Sequence, residues 1–476
     1  MEENMEENRQ YLAFDLGASS GRAILGSVRN GRLELEEIHR FPNYPYEKDG
    51  HYFWDFRALL GELETGLKKA VAAAPCLASF SIDTWGVDYA LFRGGELIHD
   101  PYCYRDGRTE AAIEDFHKRI PKADFYARNG IQPLVFNTIY QLFAELRDDP
   151  AALDGSTILL MPDALHYMLT GTATSEVTIA STGALLKASS PEWDTEALNK
   201  FAGLPSSLFT QLVPPASPAG CLKPETAARL GIPRIPAVKC ASHDTASAVL
   251  AMPCVDPEKA LYISLGTWAL LGAELHTAIL TPEALESHFT NERGVEDTFR
   301  FLCNIMGTWL LQETRRTWTE QGKDISFADM EAMAAPLDGQ TFRIDPDDAV
   351  FFPPGDMPER VRRYCREHGQ GEIPNDAALV RCIYDSLADC FKKRIDQLES
   401  ITGKKFDTLN ILGGGTRDRF FMRLVARITG RRVLAGPTEA TAIGNILAQM
   451  IADGTLKNAA EARDLTAKSF PLAVYS

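Results

Sequence analysis

Apolar positions in the opening stretch of the chain fall at strand spacing and are broken by turn formers. Residues 11–16 are mostly apolar, Gly17-Ala18-Ser19-Ser20-Gly21 is rich in small turn residues, and residues 22–28 return, which predicts a β-hairpin. Asn30-Gly31 supplies a second tight turn, and residues 33–38 a third strand. From Asp55 the spacing changes: Leu59, Leu63, Leu67 and Val71 share one face of a helix. Residues 77–82 and 87–92 read as two further strands.

Between Tyr104 and Pro236 the pattern is mostly helical with proline-rich connections, for example at residues 138–148, 162–169 and 194–201. Residues 238–240 predict a short strand and residues 245–252 a helix. Residues 260–264, the turn Leu265-Gly266-Thr267 and residues 268–275 then repeat the opening hairpin, which predicts an internal duplication giving two similar domains. In the long amphipathic stretch 377–401, Val380, Ile383, Leu387, Phe391, Ile395 and Leu398 point inward. Residues 408–412 form a strand running into Gly413-Gly414-Gly415 and a helix at 418–428. A strand at 433–435 follows, and Thr438 caps a last helix ending at Ala452. Strand, glycines, helix is a way to bring backbone close to a nucleotide, although a glycine triple alone is also an ordinary flexible turn.

Composition narrows the class. A chain of 476 residues suits two or three domains, and the net charge of -16 argues against a nucleic-acid or anionic-membrane binder, which needs a basic face. No run approaches the ~20 apolar residues of a bilayer span. Residues 1–9 are acidic, repeat Met-Glu-Glu-Asn and lack an apolar segment, so they read as a disordered leader, not a signal peptide. Nine cysteines without a CxxC pair fit a reducing, cytoplasmic setting. Cys365 and Cys382 could bridge, but two inert thiols are expected. The histidines show no HExxH or similar spacing, which disfavours a zinc enzyme.

The candidate chemistry centres on Asp244, at the junction of a short strand and a helix in Ala241-Ser242-His243-Asp244-Thr245. There a carboxylate can project into a cleft or simply cap the helix. Two Gly/Ser/Thr-rich hairpin turns, one per domain, could face each other across a cleft and grip a polyphosphate. Asp15, ending the first strand, is placed to hold magnesium through water. Neither Gly322-Lys323-Asp324 nor Gly403-Lys404-Lys405 completes a Walker A sequence, and His39-Arg40-Phe41 is no protein-kinase catalytic loop. Duplicated hairpins with a nucleotide signature of neither class point to an α/β fold of two ribonuclease-H-like, actin-like ATPase domains with a cleft between them.

Six segments carry a more specific resemblance. They are residues 15–22, 82–88, 104–109, 242–248, 264–268 and 304–307, joined by Glu439-Ala440-Thr441-Ala442-Ile443-Gly444-Asn445. Together they resemble the FGGY carbohydrate kinase family over roughly residues 10 to 471, in the right order. Asp15-Leu16-Gly17-Ala18-Ser19-Ser20-Gly21-Arg22 is closer to the members that phosphorylate L-rhamnulose than to glycerol or xylulose kinases. The resemblance implies transfer of the γ-phosphoryl group of ATP, with Mg2+, to the 1-hydroxyl of L-rhamnulose. It implies an N-terminal domain at 10–246 and a C-terminal, nucleotide-binding domain at 247–476.

By that resemblance Ala18, Ser19, Ser20, Gly21 and Arg22 line the phosphates, and Thr267, Gln312 and Gly414 contact ATP. Gly86, His243, Asp244, Thr245 and Asn304 surround the sugar, and Asp244 accepts the proton. An Asp of ordinary pKa, ~3.9, is already ionised for that role at neutral pH. Bland readings stand beside several of these: core packing for Trp85, capping for Asn304, and a surface turn or a pocket rim for Arg105-Asp106-Gly107-Arg108. Two departures from the family pattern stand out: Asp418 occupies a position commonly Asn, and only five residues follow Pro471, so a closing helix is expected to be missing. Competing expectations are a kinase for fuculose or xylulose and an actin-like regulatory ATPase. Partners are expected to be small molecules only, with the chain a monomer or homodimer.

Overall fold

The computed structural model describes residues 9–74, 76–254, 256–337 and 341–476. The expected leader therefore lies, apart from Arg9, outside the described residues. The chain forms two compact units that interleave along the sequence, where a single boundary after residue 246 was expected. One comprises Met1–Val255, Leu275–Phe301 and Ala440–Ser469; the other comprises Asp256–Glu274, Leu302–Glu439 and Phe470–Ser476.

The first unit is built on a sheet in the order Ser217–Cys221, Pro236–Lys239, Leu77–Thr84, Gln10–Leu16, Ser20–Arg29, Arg32–Pro42. Gln10–Leu16 pairs antiparallel with Ser20–Arg29 and parallel with Leu77–Thr84, which in turn runs parallel to Pro236–Lys239. From Tyr11 on, every residue of the central strand is buried, which explains why Asp15 is the sole charge among Tyr11 to Leu16. Helix Phe56–Ala73, capped by Asp55, lies close enough that a Cβ on Gly66 would meet the Phe14 ring at 2.5 Å. Helix Ala440–Ala452 also packs here: Gln449 Nε2 donates to Leu12 O at 3.0 Å, and Ile446 fills the space over Gly26.

The second unit repeats the plan. Its strands lie in a seven-stranded sheet in the order Thr290–Arg293, Phe299–Met306, Trp268–Leu275, Ala260–Leu265, Thr408–Leu412, Arg432–Ala435, Ala473–Tyr475. Again a hairpin is followed by two parallel strands and closed by an antiparallel one. The same connectivity in both units is the internal duplication that the two hairpins suggested, in an actin-like α/β fold.

Several elements differ from the sequence reading. Residues 87–92 do not extend the main sheet; Tyr89–Arg93 pairs with Thr157–Leu160 in a small separate sheet. Residues 194–201 split into a short α-turn at Thr195–Ala197 and a wider π-turn at Leu198–Ala202. Asn304 lies inside the strand Phe299–Met306, so it caps nothing. Ala452 does not end the helices, because Ala459–Ser469 and the edge strand Ala473–Tyr475 follow. Cys365 and Cys382 are both buried free thiols. Among the described residues no helix is long and apolar enough to cross a membrane.

Candidate active site

Parallel strands of an open α/β sheet deliver their C-terminal ends, and the loops that follow, to one edge, where such sheets bind ligands. In the first unit Asp15 and Asp83 sit opposite each other in register near the ends of adjacent parallel strands. Beside them Thr84 N donates to Ser242 O at 3.0 Å, and Thr84 bridges to His243. Three carboxylates are thus gathered: Asp15, Asp83 and Asp244. Asp15 is buried and ion-paired with Arg22.

Asp244 is the first residue of helix Asp244–Leu250, and the cap position belongs to His243. Its carboxylate is therefore not the helix cap. Thr245 Oγ1 donates to Asp244 Oδ1 at 3.0 Å, and His243 Nε2 lies 3.4 Å from the same oxygen. Neither contact uses Oδ2, and the side chain keeps 31% exposure. Burial lifts its pKa above the ordinary carboxylate value; His243 opposes the rise and the charge of Asp15 adds to it. The expectation of an ordinary acid is corrected here.

Asp83 was missed as a site candidate. It is sealed from solvent; Asn445 Nδ2 donates to its Oδ2 at 2.6 Å, while Oδ1 is buried without a partner. Burial, then the charges of Asp15 and Asp244, push its pKa well upward against the Asn445 hydrogen bond. Its signal in the sequence was positional: an acid near the end of an apolar strand, as in Asp15.

The loop that carries Asp244 is fixed from below. Glu176 Oε2 accepts from Ser242 N at 2.9 Å, and its carboxylate also takes donors from Thr178 and Ile179. Thr178 Oγ1 accepts from His243 N at 3.3 Å. Burial raises the Glu176 pKa to about 7 against those hydrogen bonds. Lys239 Nζ and Asp163, both fully buried, form an ion pair at 2.7 Å on the strand that precedes the loop. The helix that follows is crossed by Ala440–Ala452 so closely that a Cβ on Gly444 would stand 1.8 Å from Ser247 O.

Trp85 belongs to the core. Its indole packs on Trp54 with centroids 4.3 Å apart and donates to Asp88 Oδ2 at 2.9 Å. Trp54 Nε1, Gln141 Nε2 and Tyr104 N also donate to the Asp88 carboxylate. Gly86 is partly open, with Thr182 beside it. Val87 holds φ at 67°, a costly value for a β-branched residue. Thr182 Oγ1 accepts from Val87 N, and Thr138 Oγ1 donates to Val87 O. The segment is thus held in a strained shape by two threonines, three residues beyond Thr84, which bridges to His243. Asp106 and Arg108 are not a solvated surface turn: Arg108 is ion-paired with buried Glu145 at 2.6 Å, and Asp106 accepts from Tyr52 N.

In the loop 17–19, Asn43 Nδ2 donates to Gly17 O and Asn43 N to Ser19 O, leaving Ser19 exposed and Ala18 partly so. Gly21 is different: it is buried, and a Cβ there would meet the Phe41 ring at 2.2 Å. Packing accounts for that glycine.

In the second unit Thr267 Oγ1 donates to Gln312 Oε1 at 3.2 Å, and Gln312 Nε2 to Thr308 Oγ1 at 2.9 Å. Thr308 in turn donates to Gly266 O, tying helix Trp309–Glu320 to the hairpin turn. The three glycines separate by role. Gly413 takes φ at 89°. Gly415 packs on Leu265. Gly414 is exposed with no atom near its missing side chain. Only Gly414 therefore offers open backbone. Asn304 is partly buried in its strand, two residues from Met306, whose N–H donates to Asp347.

Residues 10–251 match the N-terminal domain, and residues 261–452 the C-terminal domain, of the FGGY family of carbohydrate kinases. The chain belongs to that family. This kinase is 43% identical to a rhamnulokinase of Enterococcus faecalis, over 100% of the chain and 96% of the relative. It is 40% identical to one of Bacillus subtilis, over 98% of the chain and 95% of the relative. In fold it is similar to the ligand-bound xylulose kinase of Lactobacillus acidophilus, with a TM-score of 0.81 at 14% identity, covering 98% of this chain and 93% of that one. Plasmodium falciparum glycerol kinase with ADP gives 0.81 at 16% identity, covering 98% and 94%. The kinase is a phosphotransferase with an alcohol group as acceptor, and ATP binding follows from its family.

Proposed function

We propose that this kinase transfers the γ-phosphoryl group of ATP to the 1-hydroxyl of L-rhamnulose, in the cytoplasm, with Asp244 as the proton acceptor. The relatives named rhamnulokinase, at 38–43% identity over nearly the whole chain, support the sugar. One observation carries the mechanism: His243 and Thr245 both engage Oδ1 of Asp244, so Oδ2 is left for the acceptor alcohol.

In the reaction a sugar oxygen–phosphorus bond forms, the bond from phosphorus to the ADP oxygen breaks, and the hydroxyl proton passes to Oδ2. Phosphoryl transfer runs through a loose transition state in most analyses, so what the protein supplies is chiefly positioning and charge. In the first unit His243 and the Gly86 segment would hold the sugar and Ala18 to Arg22 the phosphates; in the second unit Thr267, Gln312 and Gly414 would contact ATP, with Asn304 a sugar ligand by resemblance. Asp15, whose carboxylate is ion-paired with Arg22, would be the residue to hold magnesium, through water, since that ion binds few carboxylates and keeps several waters. When bound, that ion would neutralise charge on the phosphates.

The test is Asp244→Asn with product identification on L-rhamnulose. A folded variant should lose turnover by about 10²–10⁴. Wild-type turnover would remove the base assignment, and equal rates on a panel including fuculose and xylulose would remove the sugar assignment. A regulatory ATPase, by contrast, would hydrolyse ATP indifferent to any sugar.

A further inference from the structure

Behind His243 lies a pair of charged residues that the reaction as described leaves without a task. Glu292 comes from the strand Thr290–Arg293 and Arg300 from the strand Phe299–Met306. Both are charges on strands that are otherwise closed to solvent: Arg300 is fully buried, and Glu292 and His243 nearly so. Arg300 Nη2 stands 3.1 Å from His243 Nδ1 in hydrogen-bonding geometry. Glu292 Oε2 lies 2.9 Å from Arg300 Nη2 and 3.2 Å from His243 Nδ1. Arg300 Nε is fixed separately on Arg293 O at 3.1 Å.

A guanidinium has only donors and stays charged, so a hydrogen bond from Arg300 to Nδ1 requires a bare Nδ1. The proton of neutral His243 must then sit on Nε2, the nitrogen facing Asp244 Oδ1 at 3.4 Å. The opposite tautomer would set its N–H against the Arg300 donor and a lone pair against Asp244 Oδ1, whereas the Nε2–H form leaves only the Nδ1–Glu292 Oε2 approach at 3.2 Å unfavourable, and Arg300 shields that one. We infer that Arg300, charge-balanced by Glu292, is a positioning residue that holds His243 in the Nε2–H tautomer and so commits Asp244 Oδ1, keeping Oδ2 for the alcohol. The inference rests on the reading of Asp244 as proton acceptor. It adds that the acceptor's orientation is set two residues away, by a group that touches neither substrate.

The direct readout is ¹⁵N-histidine NMR of the full chain at neutral pH, with His243 assigned by His243→Gln. In the wild type Nδ1 should be bare and Nε2 protonated. In Arg300→Met, Glu292 becomes the nearest partner of Nδ1, so the proton should move to Nδ1. Turnover should fall at least about tenfold while KM for ATP stays near its wild-type value, since misplacing a reacting group by about 1 Å can cost about 10²-fold. Arg300→Lys, which restores a cationic donor, should recover part of both signals. If Arg300→Met does not fold, the double variant Glu292→Leu/Arg300→Met removes both buried charges together and should show mixed tautomers with lowered turnover.

A wild-type proton on Nδ1, or an unchanged tautomer and turnover in the folded variant, would overturn the inference. Undiminished turnover in Asp244→Asn with Nε2 protonated would instead remove the base assignment and leave the tautomer assignment standing.

Discussion

At the scale of single residues, the three acids at the strand ends differ by what surrounds them. Asp15 is neutralised by Arg22, Asp83 is sealed and pushed toward the protonated form, and Asp244 is lifted yet still open on one oxygen. A proton acceptor must be ionised, so kcat/KM should fall on the acid side as pH drops through the Asp244 pKa. That pKa is raised, so the acid limb should lie above 3.8, the ordinary aspartate value. His243 holds the pKa down, and in His243→Gln the limb of the residual activity should move further up. A pH profile with sugar and ATP saturating in turn reads both; a limb at the ordinary value would contradict the burial argument. Asp244 and Asp15 were legible because each falls where apolar pattern gives way to turn or helix signal. Glu292 and Arg300 were not, because their strands lie far along the chain from His243 and periodicity says nothing about which strand faces which loop.

At the scale of elements, the same residue type serves opposite purposes in different turns of the two units. Gly21 is needed for space beneath Phe41, whereas Gly414 leaves backbone open. Gly21→Ala should destabilise by about 1–3 kcal/mol through overpacking, visible as a lowered Tm. Gly414→Ala should leave Tm within the range of a neutral surface change, about 0.5 kcal/mol, and raise KM for ATP. Reversal of the two outcomes would exchange their roles. Both glycines read alike in the sequence, since a turn signal reports backbone freedom but not what fills the space beyond it. The long helix Asp376–Thr402 was readable nearly to its ends, because six inward residues at regular spacing leave little freedom. The split at residues 194–202 was not, because a widened turn keeps the same apolar residues inward.

At the scale of the molecule, the duplication was legible from two hairpins, but the way the chain shares itself between the units was not. The stretch Ala440–Ser469 belongs to the first unit. Asn445 supplies the hydrogen bond to Asp83, Gln449 accepts from Ser79 Oγ and donates to Leu12 O, and Gly444 lets its helix meet Ser247. Without that segment, buried polar groups on the central strands lose their partners, each at a cost of about 1–3 kcal/mol. Residues 1–255 joined to residues 275–301 should therefore show no cooperative thermal transition, and a fusion that also appends residues 440–469 should restore one. A sharp transition in the unassisted fragment would show that the late helix is dispensable.

The same arrangement bears on how the polypeptide is made. Synthesis at about 5–20 residues per second leaves roughly 10–40 s between emergence of the early sheet and of the helix that completes it. For that interval a nascent chain exposes the strand faces meant for Ile446 and Gln449. Cells making this kinase would have to shield those faces with a holding chaperone, or lose chains to aggregation in proportion to any slowing of translation in the second half of the message.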